Sequence, residues 1–254
     1  MVRPRRVDTA LVALGLARNE AEAAELIADD RVTVNGAPVL NMARQVTSSD
    51  QLAVVSLERF VSRGGLKLEH ALEHFERIGY PVPVRGMRVL DAGASTGGFV
   101  DCLLQNGAAQ VVACDVGRGL LHPKVAGDPR VKVRDGVNAR DIAALVRGGE
   151  LQGEFDLVVA DLSFISLRTV MESLAAAARS EGELLLLVKP QFEAAKHEVD
   201  KGGGVISDPV VRRRCIDEVA DSLSNHGARV IGEVESGTPG PAGNLEHWLR
   251  AIKV

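Results

Sequence analysis

The residues best suited to chemistry are an acid, a turn of small residues and a second acid one strand later. Asp91-Ala92-Gly93-Ala94-Ser95-Thr96-Gly97-Gly98 leads into Phe99, and the next apolar run ends at Asp115-Val116. Glycines let the backbone approach a ligand closely and adopt φ values that other residues resist. An acid at the tip of a second parallel strand is placed to accept hydrogen bonds from ribose hydroxyls. The turn lacks the G-x-x-x-x-G-K-[ST] of a triphosphate cradle and the G-x-G-x-x-G that seats a pyrophosphate. Its D-x-G-x-x-x-G-G spacing suits a nucleoside cofactor with an amino-acid tail and no phosphate, which points to S-adenosylmethionine. A glycine-rich β–α turn with no ligand is the competing reading of this loop alone.

Two more charged groups end apolar runs. Asp161 closes Phe155-Asp156-Leu157-Val158-Val159-Ala160, and Lys189 closes the run through Leu184 to Val188. In an open parallel sheet, ligands sit beyond the carboxyl ends of strands, so both are expected at the cofactor crevice. Singly, Asp161 could cap a helix and Lys189 could be a solvated strand end; together, beside the glycine turn, they favour a site. Lys67 follows Ser62-Arg63-Gly64-Gly65, where two glycines again bring backbone close to something. Asp161-Leu162-Ser163-Phe164 lacks the prolines of a [DN]-P-P-[YF] amino-group site, and no Pro-Cys pair offers a nucleophile. A hydroxyl is therefore the better acceptor, and it needs a base. A lysine could serve if its pKa fell from about 10.4 by two or three units, at a cost of roughly 3–4 kcal/mol. Desolvation and a second ammonium nearby could supply that shift, an arrangement that Lys67 and Lys189 fit.

The elements holding these groups read as α/β. Strands are expected at 87–91, 110–115, 130–135, 155–161, 182–189, 229–234 and 247–254, with helices from 99, over 166–179 and over 209–224. Asp135, at the end of the third strand, could face an adenine amino group. Residues 191–208, with Gly202-Gly203-Gly204, read as a long loop of the kind that often forms a lid. The fold class is a Rossmann-like, S-adenosylmethionine-dependent methyltransferase with a mostly parallel seven-stranded sheet, preceded by a small α+β unit.

That unit spans 1–57, with a linker at 58–62 and the larger domain at 63–254. Its pattern is two helices, the second capped by Asn19, then a strand, an Asn35-Gly36 hairpin turn and further strands. With basic Arg3, Arg5, Arg6, Arg18, Arg31 and Arg44, the pattern V-D-x-x-L, G-L-A, A-x-x-L-I, R-V-x-V-N-G resembles the S4 RNA-binding domain. Arginines on its first two helices, with Arg63 at the linker's end, are the expected phosphate contacts. A protein-binding helical cap is the alternative, because acids nearly equal bases here.

Composition sets the limits. A length of 254 residues allows one large domain and a small one, and 46% apolar content is globular. No run of about 18 apolar residues exists for a membrane span, and no apolar segment follows the basic start as a signal peptide requires. Cys102, Cys114 and Cys215 show no C-x-x-C, so neither disulfides nor a metal is expected. The expectation is a cytoplasmic protein. A net charge of −4 argues against general nucleic-acid binding, although position matters more than the sum.

Taken together, S-R-G-G-x-K-L, L-D-A-G-A-S-T-G-G-F, D-V-G-x-G, N-A-R, V-A-D-L-S-F-I-S, V-K-P-Q-F-E, K-G-G-G-V and G-N-x-E resemble the TlyA family across essentially the whole chain. These are hemolysin-annotated ribosomal RNA 2′-O-methyltransferases with an FtsJ-like catalytic domain. The resemblance implies a K-D-K-E tetrad on Lys67, Asp161, Lys189 and Glu246, with Lys189 as base and the others orienting it, the ribose hydroxyl and the methyl group. It implies cytidine 2′-hydroxyls of ribosomal RNA as targets, docked by the S4 unit. The absence of a C-terminal extension leans the expectation toward large-subunit RNA. The segment 135–140 departs from the family's usual E-R-T-N-A-R. A membrane-active hemolysin and a non-catalytic ribosome-associated RNA binder are the rivals. A pseudouridine synthase, which needs no cofactor loop, is disfavoured.

Overall fold

Residues 4–39, 41–55, 59–240 and 242–254 are described by a computed structural model. It falls into two units, Met1–Arg63 and Gly64–Val254. Arg3 lies outside the described residues.

In the first unit the chain runs β1 (Arg5–Arg6), α1 (Val7–Ala13), α2 (Glu20–Ala28), β2 (Val32–Val34), β3 (Ala37–Pro38), β4 (Gln45–Val46) and β5 (Leu52–Val54). Asn19 starts α2 by accepting a hydrogen bond from the Glu22 N–H at 2.9 Å. Asn35 and Gly36 both have positive φ, +53° and +78°, the requirement of the tight hairpin turn between β2 and β3. β2 pairs antiparallel with β3 and β5, and β1 pairs antiparallel with β4. Val7, Leu11, Ala23, Leu26, Ile27, Val32, Val34 and Val46 form this unit's own core.

The second unit runs α3 (Gly64–Arg77), β6 (Arg88–Ala92), α4 (Gly98–Gln105), β7 (Gln110–Asp115), α5 (Pro123–Ala126), β8 (Val131–Asp135), α6 (Ile142–Arg147), β9 (Phe155–Ala160), α7 (Leu167–Ala177), β10 (Ala178–Val188), α8 (Pro190–Glu193), α9 (Lys196–Lys201), α10 (Pro209–Asn225), β11 (Ala228–Glu235) and β12 (His247–Lys253). The seven strands lie in the order β11-β12-β10-β9-β6-β7-β8. Strands β10, β9, β6, β7 and β8 are parallel, and β12 is antiparallel to both of its neighbours. From β6 the chain winds outward through β7 to β8, then returns to β9 on the other side of β6. That reversal opens a crevice at the carboxyl ends of β6 and β9, where ligands of such sheets bind. The central strands are mostly apolar where they cross the core, with Leu90, Val158, Leu184 and Leu186 packed under Met171, Leu174 and Val219. The chain's one tryptophan, Trp248 on β12, is fully buried and packs on Phe99 with ring centroids 5.5 Å apart.

Two expectations change. The helix before β10 ends at Ala177, and the strand starts at once at Ala178, with a register shift before Glu183. The segment 191–208 is not a bare loop, because α8 and α9 occupy part of it. Pro190 has its φ pre-set for a helix start and needs no N–H partner there. Glu198 closes the first turn of α9 by accepting from the Ala195 N–H at 3.0 Å.

Candidate functional site

A cleft of about 400 Å³ opens at the carboxyl ends of β6, β7 and β9, walled by Gly93, Ser95, Asp115, Val116, Asp161 and Leu162 among others. Gly93 has φ +89°, and a Cβ there would lie 2.7 Å from the Asp161 carbonyl oxygen, so only glycine lets these segments meet. Gly97, φ +95°, starts α4, and a Cβ on it would strike Val125 and Leu121 at 2.7 and 2.8 Å. Asp115 is braced by two backbone donors: Ser95 N–H to Oδ2 at 2.9 Å and Gly117 N–H to Oδ1 at 2.7 Å. A carboxylate so held keeps lone pairs for further hydroxyl donors. Apolar Val137, Leu162 and Ile165 supply a dry wall. An acid at a strand tip, an apolar wall and a backbone cradle fit the nucleoside cofactor expected.

Of the expected cofactor residues, Gly93, Ser95, Asp115, Val116 and Asp161 line this cleft. Ala94, Thr96, Gly97, Gly98, Phe99, Asp91 and Asp135 do not. Asp135 is engaged elsewhere, its Oδ2 accepting from the Gly119 N–H at 2.8 Å. Asp91 is wholly buried, and neither oxygen has a hydrogen-bond partner among the described residues. Burial, with Asp161 and Asp115 nearby, pushes its carboxyl well above the usual carboxylate range. Cys114 also lines the cleft, but burial and then Asp91 raise its thiol to about 12, so it is no nucleophile. Sequence reasoning gave no wall role to Leu120, Val137 or Arg140; the N-A-R motif was the available signal, since Asn138 turns the chain inward by capping the Arg140 N–H at 3.0 Å.

The four charged groups come together. Lys189 Nζ lies 2.5 Å from Asp161 Oδ1 in an ion pair and donates to Ser163 Oγ at 2.9 Å. Lys67 Nζ donates to Glu246 Oε2 at 2.7 Å, with both residues buried. Burial alone would raise Asp161, but the Lys189 and Lys67 ammoniums outweigh it and hold its carboxyl below the usual value. The two lysines therefore both face Asp161. β10 is separated from β6 by β9, so Lys189 reaches the crevice from the second strand over rather than from an immediate neighbour.

Three clamps that sequence reasoning missed hold this geometry. Buried Glu193 accepts from the Ser166 hydroxyl at 2.5 Å, the Leu167 N–H at 2.7 Å and Arg168 Nε at 3.2 Å, tying the loop after β10 to the start of α7. Asn244, also buried, accepts from the Ile206 N–H and donates to the Gly204 carbonyl, both at 2.9 Å, which anchors the glycine run two residues before Glu246. Gly240 leaves room for Glu246, whose Oε1 would lie 2.4 Å from any Cβ there. Phe164 takes φ +63°, strained for a bulky residue, and packs on Phe192 at 5.3 Å while remaining 92% exposed.

The expected RNA contacts need correction. α1 and α2 carry no arginine; the residues named sit in strands and turns around them. Arg6 pairs with Asp8 at 2.6 Å, Arg18 with Glu22 at 2.9 Å and Arg63 with Asp30 at 3.1 Å. Arg31 and Arg44 donate to the carbonyls of Val55 and Pro38, both at 3.3 Å, and Arg5 is exposed on β1. Among the described residues no helix is long and apolar enough to cross a membrane, and no group of three or more His, Cys, Asp or Glu is gathered as metal ligands would be.

Comparison with known proteins agrees with this layout. The model of the FtsJ-like methyltransferase family matches residues 60–252, and that of the S4 domain matches residues 5–52. The chain is 46% identical over 254 residues to the 16S/23S rRNA (cytidine-2′-O)-methyltransferase TlyA of Mycobacterium tuberculosis, covering 98% of this chain and 91% of the relative. It is 33% identical to Hemolysin A of Brachyspira hyodysenteriae over 97% of this chain and 99% of that one. A solved Streptococcus thermophilus protein described as a hemolysin superposes with a TM-score of 0.73 at 31% identity, covering 100% of this chain and 90% of that one.

Proposed function

The chain belongs to the TlyA family, an S4 domain joined to an FtsJ-like methyltransferase domain, and from that premise we propose that it is an S-adenosylmethionine-dependent ribosomal RNA (cytidine-2′-O)-methyltransferase. The observation that carries the reading is the meeting of two lysine–carboxylate pairs around Asp161, at the rim of a nucleoside-shaped cleft. When bound, the cofactor supplies an electrophilic methyl group on a positively charged sulfur.

The chain's own residues do the rest. Asp115 binds the cofactor's ribose hydroxyls, and the turn at Gly93 and Ser95 receives its amino-acid end. Lys189, oriented by Asp161, takes the proton of the attacking 2′-hydroxyl in its neutral form, after the ammonium has given up its own proton to solvent. Lys67, fixed by Glu246, orients the ribose. Little covalent chemistry is asked of the protein, so most of the acceleration is alignment. The S4 unit docks the RNA, and exposed Arg5 is its most available phosphate contact. The M. tuberculosis relative is named for 16S and 23S rRNA alike; large-subunit RNA is the first substrate proposed here, and small-subunit RNA is tested in parallel.

The test is Lys189→Ala. Methyl transfer to ribosomal subunits, read by primer extension or mass mapping, is expected to disappear while the circular dichroism spectrum and melting temperature stay near wild type. Wild-type activity in that variant would remove Lys189 from the chemistry. Lysis of protein-free vesicles by the purified chain would instead revive the hemolysin reading.

A further inference from the structure

Lys189 reaches two partners on one short segment. Asp161 and Ser163 are two residues apart, and both face the same ammonium, at 2.5 and 2.9 Å. They differ in kind. Asp161 is partly buried and charged, whereas Ser163 is exposed, neutral and at the wall of the cofactor cleft. An ammonium has three N–H bonds and free rotation about its Cε–Nζ bond. A single carboxylate contact leaves that rotation open. A second contact at a fixed offset closes it and directs the third position on the nitrogen, where the lone pair of the neutral amine must meet the substrate hydroxyl. The segment is built for this: Glu193 pins Ser166 and Leu167 from the far side, and Phe164 turns the chain at φ +63° directly after Ser163. A strained non-glycine residue beside a reactive group is where sites spend conformational energy on geometry.

We propose that Ser163 is the positioning residue of Lys189: its hydroxyl fixes the direction of the amine that meets the 2′-hydroxyl. The inference rests on the reading of Lys189 as the reacting lysine. Ser163 acts through Lys189, whose Nζ donates to its hydroxyl at 2.9 Å. A hydroxyl suits this place better than a second carboxylate, because it orients the nitrogen without adding charge and can accept from or donate to it as its proton comes and goes.

Ser163→Ala and Ser163→Thr, made in the full-length chain, test this with ribosomal subunits as substrate. A lost hydrogen bond to a charged group predicts that Ser163→Ala lowers kcat by about ten- to hundredfold, with KM for the RNA and Kd for S-adenosylmethionine within about twofold of wild type. In the ligand-free protein, reductive methylation of Lys189, mapped by mass spectrometry, should speed up once the amine is released. Ser163→Thr, which keeps the hydroxyl, should restore both readings. Wild-type kcat in Ser163→Ala, or a rise in the cofactor Kd matching the fall in kcat, would overturn the proposal, the second making Ser163 a wall of the cofactor cleft only. Lys189→Ala is run alongside. Activity retained there would sink the parent reading and this one with it, whereas loss there with full activity in Ser163→Ala would sink this proposal alone.

Discussion

Asp91 shows how much one residue can reveal about a site. Its carboxyl is buried, has no hydrogen-bond partner among the described residues and sits beside two other acids, so the folded state favours its protonated form. The sign of the pH effect follows. The unfolded chain releases this proton near about pH 3.9, and the folded chain holds it to higher pH. Asp91 therefore costs stability increasingly as pH rises above the unfolded value. Asp91→Asn keeps the shape and removes the titration. Its melting temperature is expected to exceed that of wild type at about pH 8, with the gap shrinking toward about pH 5, as measured by scanning calorimetry at both. Asp161 works in the opposite direction, because its lowered carboxyl adds stability that is lost only on acidification. Asp161 and Lys189 stand out in the sequence because an apolar run announces where a buried strand stops, and both follow such stops; Lys67 is marked only by the glycines before it, and Glu246 only by the family resemblance. What Asp91 and Asp135 do could not be found that way. Their roles depend on which neighbour happens to face them: no donor for the first, the Gly119 N–H for the second.

At the scale of elements, the catalytic edge depends on joints between segments distant in sequence. Glu193 is the clearest. It satisfies the first N–H of α7 and the hydroxyl that caps it, from the turn that follows Lys189. Glu193→Ala leaves that buried N–H without an acceptor and frees the Lys189 loop. A destabilisation of about 1–3 kcal/mol is expected, read as a lower urea midpoint, together with a fall in kcat larger than any change in cofactor affinity. Arg168 does not lose every partner, because it also pairs with Glu218 at 2.6 Å, which limits the cost. Most strands were legible from apolar runs and turn residues, and the Asn35-Gly36 hairpin from its dipeptide alone. The small helices α8 and α9 were not. At four and six residues they carry no periodic signal, and they stand because of Pro190, Glu193 and Glu198 rather than propensity. The missing arginines of α1 and α2 are an error of another kind: basic residues were credited to helices when β1 and the segments between elements carry them.

For the whole molecule, a net charge of −4 conceals how the charges are spent. Arg6, Arg18 and Arg63 are each matched to an acid within the first unit; the Arg18–Glu22 pair lies most open to solvent, and an exposed pair contributes little to stability. Each unit has its own buried core, so each can in principle melt on its own terms. The burial of Trp248 against Phe99 gives a way to watch this. The chain has one tryptophan and one tyrosine, Trp248 and Tyr80, and both belong to the second unit, which leaves the first optically silent in the near ultraviolet. Indole emission during denaturation should therefore trace the methyltransferase half alone, while far-ultraviolet dichroism sums both halves. The two curves are expected to separate if the halves melt independently, and to overlay if they are thermodynamically one body.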